Sequence, residues 1–286
     1  MASSARPENA RLGRLRMEQQ ASERRRRLRI ALGALAVVLV IIVAVVVAAL
    51  NAPKKADTNA RESGAVSSAL GAALAGIPSA TYDALGVGTA DTGSLKSIQA
   101  DPLVADGKPR VVYVGAEFCP FCAGERWALV AALERFGDVT GLEYAVSSAT
   151  DQPASVPTLS LKNAKYTSSY LSFDGYEVKD REGAPLHTVP DDVKALQARF
   201  NPTGSIPWID FGGKAVQSGS SVDGNLLTGK GQDQIAATLA DPSSDIAKSV
   251  DGGANLISAQ LCRLTANQPT DVCTSPGVLT AAAKLP

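Results

Sequence analysis

The chain has 286 residues, 45% of them hydrophobic, with 28 basic and 28 acidic side chains and a single histidine, enough apolar content for a sizeable core in one or two domains. The zero net charge is unevenly spread: residues 1–29 hold nine arginines and three glutamates, which leaves 19 basic against 25 acidic residues beyond them. A main portion with this acidic balance excludes nucleic acid as its partner.

Residues 1–29 read as a basic cytoplasmic tail, with Arg6, Arg11, Arg14, Arg16, Arg24, Arg25, Arg26, Arg27 and Arg29. Residues 30–50 are free of charge and almost all Ala, Val, Leu and Ile, long enough to cross the ~30 Å hydrocarbon core of a bilayer as one helix. Beyond them only Lys54, Lys55 and Arg61 face Asp57 and Glu62, so the positive-inside rule puts the N-terminus in the cytoplasm and the main domain outside it. A cleaved signal peptide is the competing reading. It fits less well, because the basic region is long, the apolar run exceeds the usual length of about 7 to 15 residues and no small-x-small site follows. The expected location is the cell membrane, single-pass, with the lipid bilayer contacted through residues 30–50.

Residues 51–76 form the linker in this reading, with a short Ala-rich helix at 66–74 ended by Ile77-Pro78. The extracytoplasmic domain then occupies residues 77–286. Turns at Asp101-Pro102 and Gly107-Lys108-Pro109 lead into an apolar strand, Arg110-Val111-Val112-Tyr113-Val114-Gly115. Residues 123–133 have helical spacing, so Cys119-Pro120-Phe121-Cys122 lies at a strand-to-helix junction. The first turn of a helix presents unpaired N–H groups and a partial positive charge, which favour a thiolate at Cys119. Pro120 suits the first helical position, and Cys122 one turn on can close a disulfide with Cys119. This is the layout of a redox motif.

The helix is expected to stop near Phe136-Gly137, followed by a strand at 142–147 running parallel to the first, a βαβ unit. Residues 150–201 read as a long insertion: extended at 170–173, a turn at Asp174-Gly175, a strand at 176–178 and a helix at 191–200. Ile206-Pro207-Trp208-Ile209-Asp210-Phe211, Gly212-Gly213 and Lys214-Ala215-Val216 spell a hairpin. Helices are expected at 232–239, 244–249 and 254–264. Cys262 and Cys273 would close a short loop on the oxidising side of the membrane, a structural disulfide worth ~3 kcal/mol in the chain-entropy model.

Strand, Cys-x-x-Cys helix, strand, Ile-Pro hairpin and closing helix resemble the thioredoxin-like fold, and Ala116-Glu117-Phe118-Cys119 is similar to the Ala-Glu-Trp-Cys of thioredoxins. The fold class expected is α/β, thioredoxin-like with an insertion and extra C-terminal helices, preceded by one transmembrane helix. Within that superfamily, residues 115–129, 166–173, Asp180-Arg181, Pro185-Leu186, 205–210 and 257–278 resemble a membrane-anchored family known as domain of unknown function 929, over roughly residues 77–278. The resemblance implies that Cys119 exchanges with a target disulfide or thiol and that Cys122 resolves the mixed disulfide. It also implies a cis proline opposite the pair, preceded by a residue whose backbone binds an extended substrate. Pro157 lies at the usual distance, 35 residues after Cys122, whereas Pro207 lies 85 after it. The strand, tight turn, strand and helix that must follow favour Ile206 and Pro207 as the substrate-binding pair.

Three features depart from thioredoxin: Tyr113 falls where those proteins place a buried Asp, Phe118 replaces the Trp, and Pro120-Phe121 stands in place of Gly-Pro. Glu125 and Arg126, three and four residues after Cys122, could tune the thiols, but a solvated helix surface is the simpler reading. Trp127 and Trp208 read as core, and His187 as a loop residue. The function expected is a membrane-tethered thiol-disulfide oxidoreductase. Its partners would be cysteine-containing exported proteins and a membrane redox protein, with no cofactor. The alternatives are a non-catalytic binding module with an inert cystine and, with poorer ligand spacing, a metal carrier.

Overall fold

The computed structural model describes residues 60–286. The basic tail, the expected transmembrane helix 30–50 and the linker up to residue 59 lie outside the described residues. Among the described residues no helix is long and apolar enough to cross a membrane.

In chain order, helices α1 (Ser68–Ala75) and α2 (Ser79–Leu85) precede strands β1 (Leu95–Ser97), β2 (Val104–Ala105) and β3 (Lys108–Gly115), and β3 leads into helix α3 (Pro120–Leu133). Five strands follow: β4 (Asp138–Thr140), β5 (Glu143–Val146), β6 (Pro157–Ser160), β7 (Lys165–Thr167) and β8 (Ser172–Glu177). Next come α4 (Asp191–Phe200), β9 (Trp208–Phe211), β10 (Ala215–Ser218), α5 (Gln232–Thr238), α6 (Asp245–Leu264), α7 (Thr270–Cys273) and α8 (Pro276–Ala282).

The architecture is mixed α/β around a central mixed sheet. Its strands run in the order β1-β10-β9-β3, with β8 parallel to β3 and β2 antiparallel to the start of β3. Strand alternation sorts the side chains into two cores. Val111, Tyr113, Ile209 and Phe211 join the large core containing Trp127 and Leu129 of α3 and Leu256 and Ile257 of α6. Val112, Val114, Trp208 and Val216 point the other way and pack with Val189 and with Val193 of α4. Arg110 fastens α4 to the sheet, donating to Asp174 at 2.6 Å and to Asp192 at 2.8 Å.

Three expectations are corrected. The strand expected at 142–147 does not pair with β3: β5 pairs antiparallel with β6 in a separate two-stranded sheet. The parallel neighbour is β8, in register Arg110 with Ser172 through Gly115 with Glu177, so the supposed insertion supplies a strand of the central sheet. β8 also runs straight through Asp174-Gly175, where a turn was expected. Gly175 is used for space: a Cβ there would come within 3.2 Å of the Phe173 ring and 3.4 Å of Leu161. The third correction concerns Gly252-Gly253, which does not separate two helices but lies within the continuous α6. A side chain at Gly253 would come within 3.0 Å of Ala128 Cβ and 2.6 Å of Ser221 Oγ, so the glycine lets α6 approach α3 closely.

Residues 64–76 belong to the domain. Val66 N–H donates to Leu142 O at 3.1 Å, Ser67 Oγ caps α1 through Leu70 N–H at 3.1 Å, and Leu70 and Leu74 are buried in the main core. The β9–β10 hairpin closes through Gly212 (φ 61°) and Gly213 (φ 73°), both in the left-handed conformation a type I′ turn requires. Cys262 and Cys273 form a disulfide, with Cα atoms 5.6 Å apart, tying the last turns of α6 to α7.

Asp251 of α6 is fully buried, and neither carboxylate oxygen has a hydrogen-bond partner among the described residues. Burial pushes its carboxyl up to about 8, with Arg135 opposing. A raised folded-state value contributes stability below the unfolded range near 4 that is lost as pH rises toward 8. Asp251→Asn is therefore expected to raise Tm at pH 8 by roughly 5 °C and to change it little at pH 4. Thermal melts at the two pH values check this.

Candidate functional site

Cys119 is the N-cap of α3: its backbone is extended, Pro120 takes the first helical position, and Cys119 Sγ accepts the Cys122 N–H at 3.3 Å. The Cys119 thiol points at the carbonyl oxygen of Ile206, 3.8 Å away. The Ile206–Pro207 peptide is cis and leads into β9. Pro157 serves elsewhere. It opens β6, and its carbonyl accepts Trp127 Nε1–H at 3.0 Å on the flank of α3. Phe121, between the cysteines, is 55% exposed, whereas Cys119 is 5% and Cys122 0% exposed.

The loop before the thiols is pinned at each residue. Ala116 O accepts both Cys119 N–H at 3.2 Å and Arg126 Nη2–H at 2.6 Å. Glu117 N–H donates to Lys179 O at 2.9 Å, and Phe118 O accepts Ser148 N–H at 2.8 Å. Glu117 itself is buried and accepts Ser160 Oγ–H at 2.5 Å. Beside Phe118 a cleft of about 300 Å³ opens, lined by Ser148, Asp151, Lys179, Arg181 and Glu182. A larger polar cavity of about 530 Å³ lies elsewhere, between Glu134, Tyr170 and Pro269, and none of its lining residues belongs to the cysteine loop.

The two thiols differ in acidity for reasons the geometry makes plain. Cys119 is lowered to about 7, first by the hydrogen bond with the Cys122 thiol, then by the backbone N–H of Cys122, the Arg126 charge and the Phe121 N–H, against the cost of burial. Cys122 is pushed well up, first by complete burial and then by its neighbour Cys119. An acidified thiol at the helix start beside a protonated thiol one turn on has the chemistry that disulfide exchange would use.

The solvated surface expected for Glu125 and Arg126 is overturned: both are 0% exposed, because α3 is covered on nearly every side. Arg126 donates to both carboxylate oxygens of Glu177, at 2.7 and 2.8 Å. Glu125 accepts Ser221 N–H and Gln217 Nε2–H, each at 2.6 Å, and Ser221 Oγ–H at 2.9 Å. Tyr113 is fully buried, its ring filling the space that a Cβ at Gly115 would need. Trp127 and Trp208 are core residues at 0% exposure. His187 is partly exposed, and its Nδ1 accepts the Glu177 N–H at 3.3 Å. Among the described residues no group of three His, Cys, Asp or Glu side chains has a metal-binding arrangement.

Glu177 was not singled out in the sequence. Its signal is the parallel register that sets it opposite Gly115, at the end of β3 where the cysteine loop begins.

Two measurements probe this geometry. Alkylation of the reduced chain by iodoacetamide is expected to modify Cys119, with a rate that rises with pH around a midpoint near 7 and leaves Cys122 unmodified below pH 9. Peptide mapping across a pH series reads both positions. Glu125→Ala, which strands three buried donors, is expected to cost about 3 kcal/mol in denaturant unfolding.

No curated protein and no solved structure matches the chain. The family match is narrower than the stretch 77–278 over which the motifs were read: residues 95–205 match the model of the family described as Domain of unknown function (DUF929), the family the sequence resembles.

Proposed function

We propose that this protein is a membrane-tethered thiol-disulfide oxidoreductase whose domain lies outside the cytoplasm, with residues 30–50 as its anchor in the bilayer. The observation that carries this reading is the Cys119–Cys122 pair at the start of α3, with one thiol lowered to about 7 and the other held protonated by burial. The Ile206 carbonyl facing Cys119 supports a thioredoxin-like arrangement, as does the parallel β8–β3 pair flanked by the β9–β10 hairpin.

In this reading the Cys119 thiolate attacks one sulfur of a disulfide R–S–S–R′. It forms Cys119–S–S–R and releases R′–S⁻, which takes up a proton. That proton comes from Cys122, whose thiolate then attacks Cys119 Sγ, expelling R–S⁻. The protein thiols lose two electrons and the substrate gains two, and the reverse sequence oxidises a dithiol. Ile206 O, an acceptor on the Cys119 side, offers an extended substrate a backbone contact. Cysteine-containing exported proteins are the proposed substrates, and a membrane protein of matching redox chemistry is the proposed electron partner.

Cys119→Ala is expected to abolish disulfide exchange with a model disulfide. Cys122→Ala should accumulate mixed disulfides that reductant releases, read on non-reducing gels and by mass spectrometry. Thermal melts of a Cys262→Ala/Cys273→Ala variant, with and without reductant, separate this reading from the inert module. A strong loss of stability on reducing Cys119 and Cys122, together with absent exchange, would favour the module.

A further inference from the structure

Three charged or polar groups are buried beneath the cysteine loop, and the exchange chemistry above does not use them: Arg126, Glu177 and Tyr113, each 0% exposed. Arg126 lies four residues after Cys122 on α3, which puts it on the same side of the helix one turn deeper. Its Nη2 shares Ala116 O with the Cys119 N–H. Its Nη1 and Tyr113 Oη are both buried without a partner among the described residues. A guanidinium keeps its proton under all ordinary conditions, so this is a fixed positive charge behind two thiols, in a dry setting where charges act strongly.

We propose that Arg126 is a positioning residue that stabilises the thiolate of the Cys119–Cys122 pair, and that Glu177 limits this effect by neutralising part of its charge. The inference rests on the oxidoreductase reading for its purpose, but not for its test. The groups facing the thiols from each neighbouring element are few. On α3 they are Arg126 and the partner thiol, on β8 Glu177, and on β3 the neutral Tyr113 hydroxyl, which burial holds well above its ordinary value. Glu117 in the loop is hydrogen-bonded to Ser160, His187 is bonded to the Glu177 backbone, and Asp223, in the turn packed on Pro120, turns to Asn225. Arg126 is the single permanent cation in that set.

Two variants move the pair in opposite directions. Replacing both partners, Arg126→Met with Glu177→Met, removes the charges together, which proteins tolerate far better than losing one member of a buried pair. The Cys119 alkylation midpoint is then expected to rise by about one pH unit, with about fivefold slower reaction at pH 7. Glu177→Gln leaves the cation less compensated, and the midpoint is expected to fall, with severalfold faster reaction at pH 6. Arg126→Lys keeps the charge and should retain most of the wild-type curve. The titration uses the full chain in detergent, with the Cys262–Cys273 bridge intact and folding checked by near-ultraviolet circular dichroism.

Unchanged curves in both variants, or shifts of the same sign, would overturn the proposal, since a merely structural role predicts no such inversion. If the double variant does not fold, the downward shift in Glu177→Gln still decides. Opposite shifts in a protein that exchanges no disulfide would uphold the inference and defeat the oxidoreductase reading, because alkylation requires no substrate.

Discussion

The fully buried ion pair between Arg126 and Glu177 is the constraint on which the rest of the site depends. Taking each charge out of water costs several kcal/mol, which is recovered only if partners and geometry are held tightly. Here the fork of Arg126 spans both oxygens of Glu177 and still reaches Ala116 O. Helix α3, strand β8 and the cysteine loop are therefore bound at one point. The end of β8 must sit beside the end of β3, and the loop between β3 and α3 cannot shift without breaking a charge-assisted bond.

A second buried acid extends that logic along the helix. Glu125 collects donors from Gln217 and Ser221, so β10 and the segment after it are fastened to the first turns of α3. On the other flank Thr158 Oγ1 donates to Ala123 O at 2.7 Å and Trp127 donates to Pro157 O. A helix held this way by polar contacts as well as apolar packing gives Cys119 a fixed position against Ile206. The difference between the two thiols follows from their surroundings: Cys119 is lowered first by the hydrogen bond with the Cys122 thiol and then by the N–H groups of the helix start, whereas Cys122 is sealed from solvent.

Much of the local structure was legible before folding was considered. The cysteine pair at a strand-to-helix junction, the helix 191–200 and the Gly212-Gly213 hairpin all rest on short-range signals: period, Pro and Gly placement, and a required turn conformation. The local signals misled wherever a long-range contact decided. Asp174-Gly175 has the composition of a turn, but β8 gains its hydrogen bonds from β3 and the glycine clears a place for Phe173. Gly252-Gly253 has the composition of a helix break, but the close approach of α3 favours the absence of side chains there.

By itself the sequence determined that two cysteines sit two residues apart at a strand-to-helix junction and that Gly212-Gly213 can close a tight turn, because cysteine spacing, helical period and paired glycines act over a few residues. Only the tertiary structure decided that Arg126 and Glu125 are interior groups, that Glu177 lies beneath the thiols, and that the Ile206-Pro207 segment, and not Pro157, lies against Cys119. The physical reason is that a side chain's exposure depends on what covers its helix. For α3 that cover comes from β6, β8, α6 and the segment after β10, all of them remote in sequence.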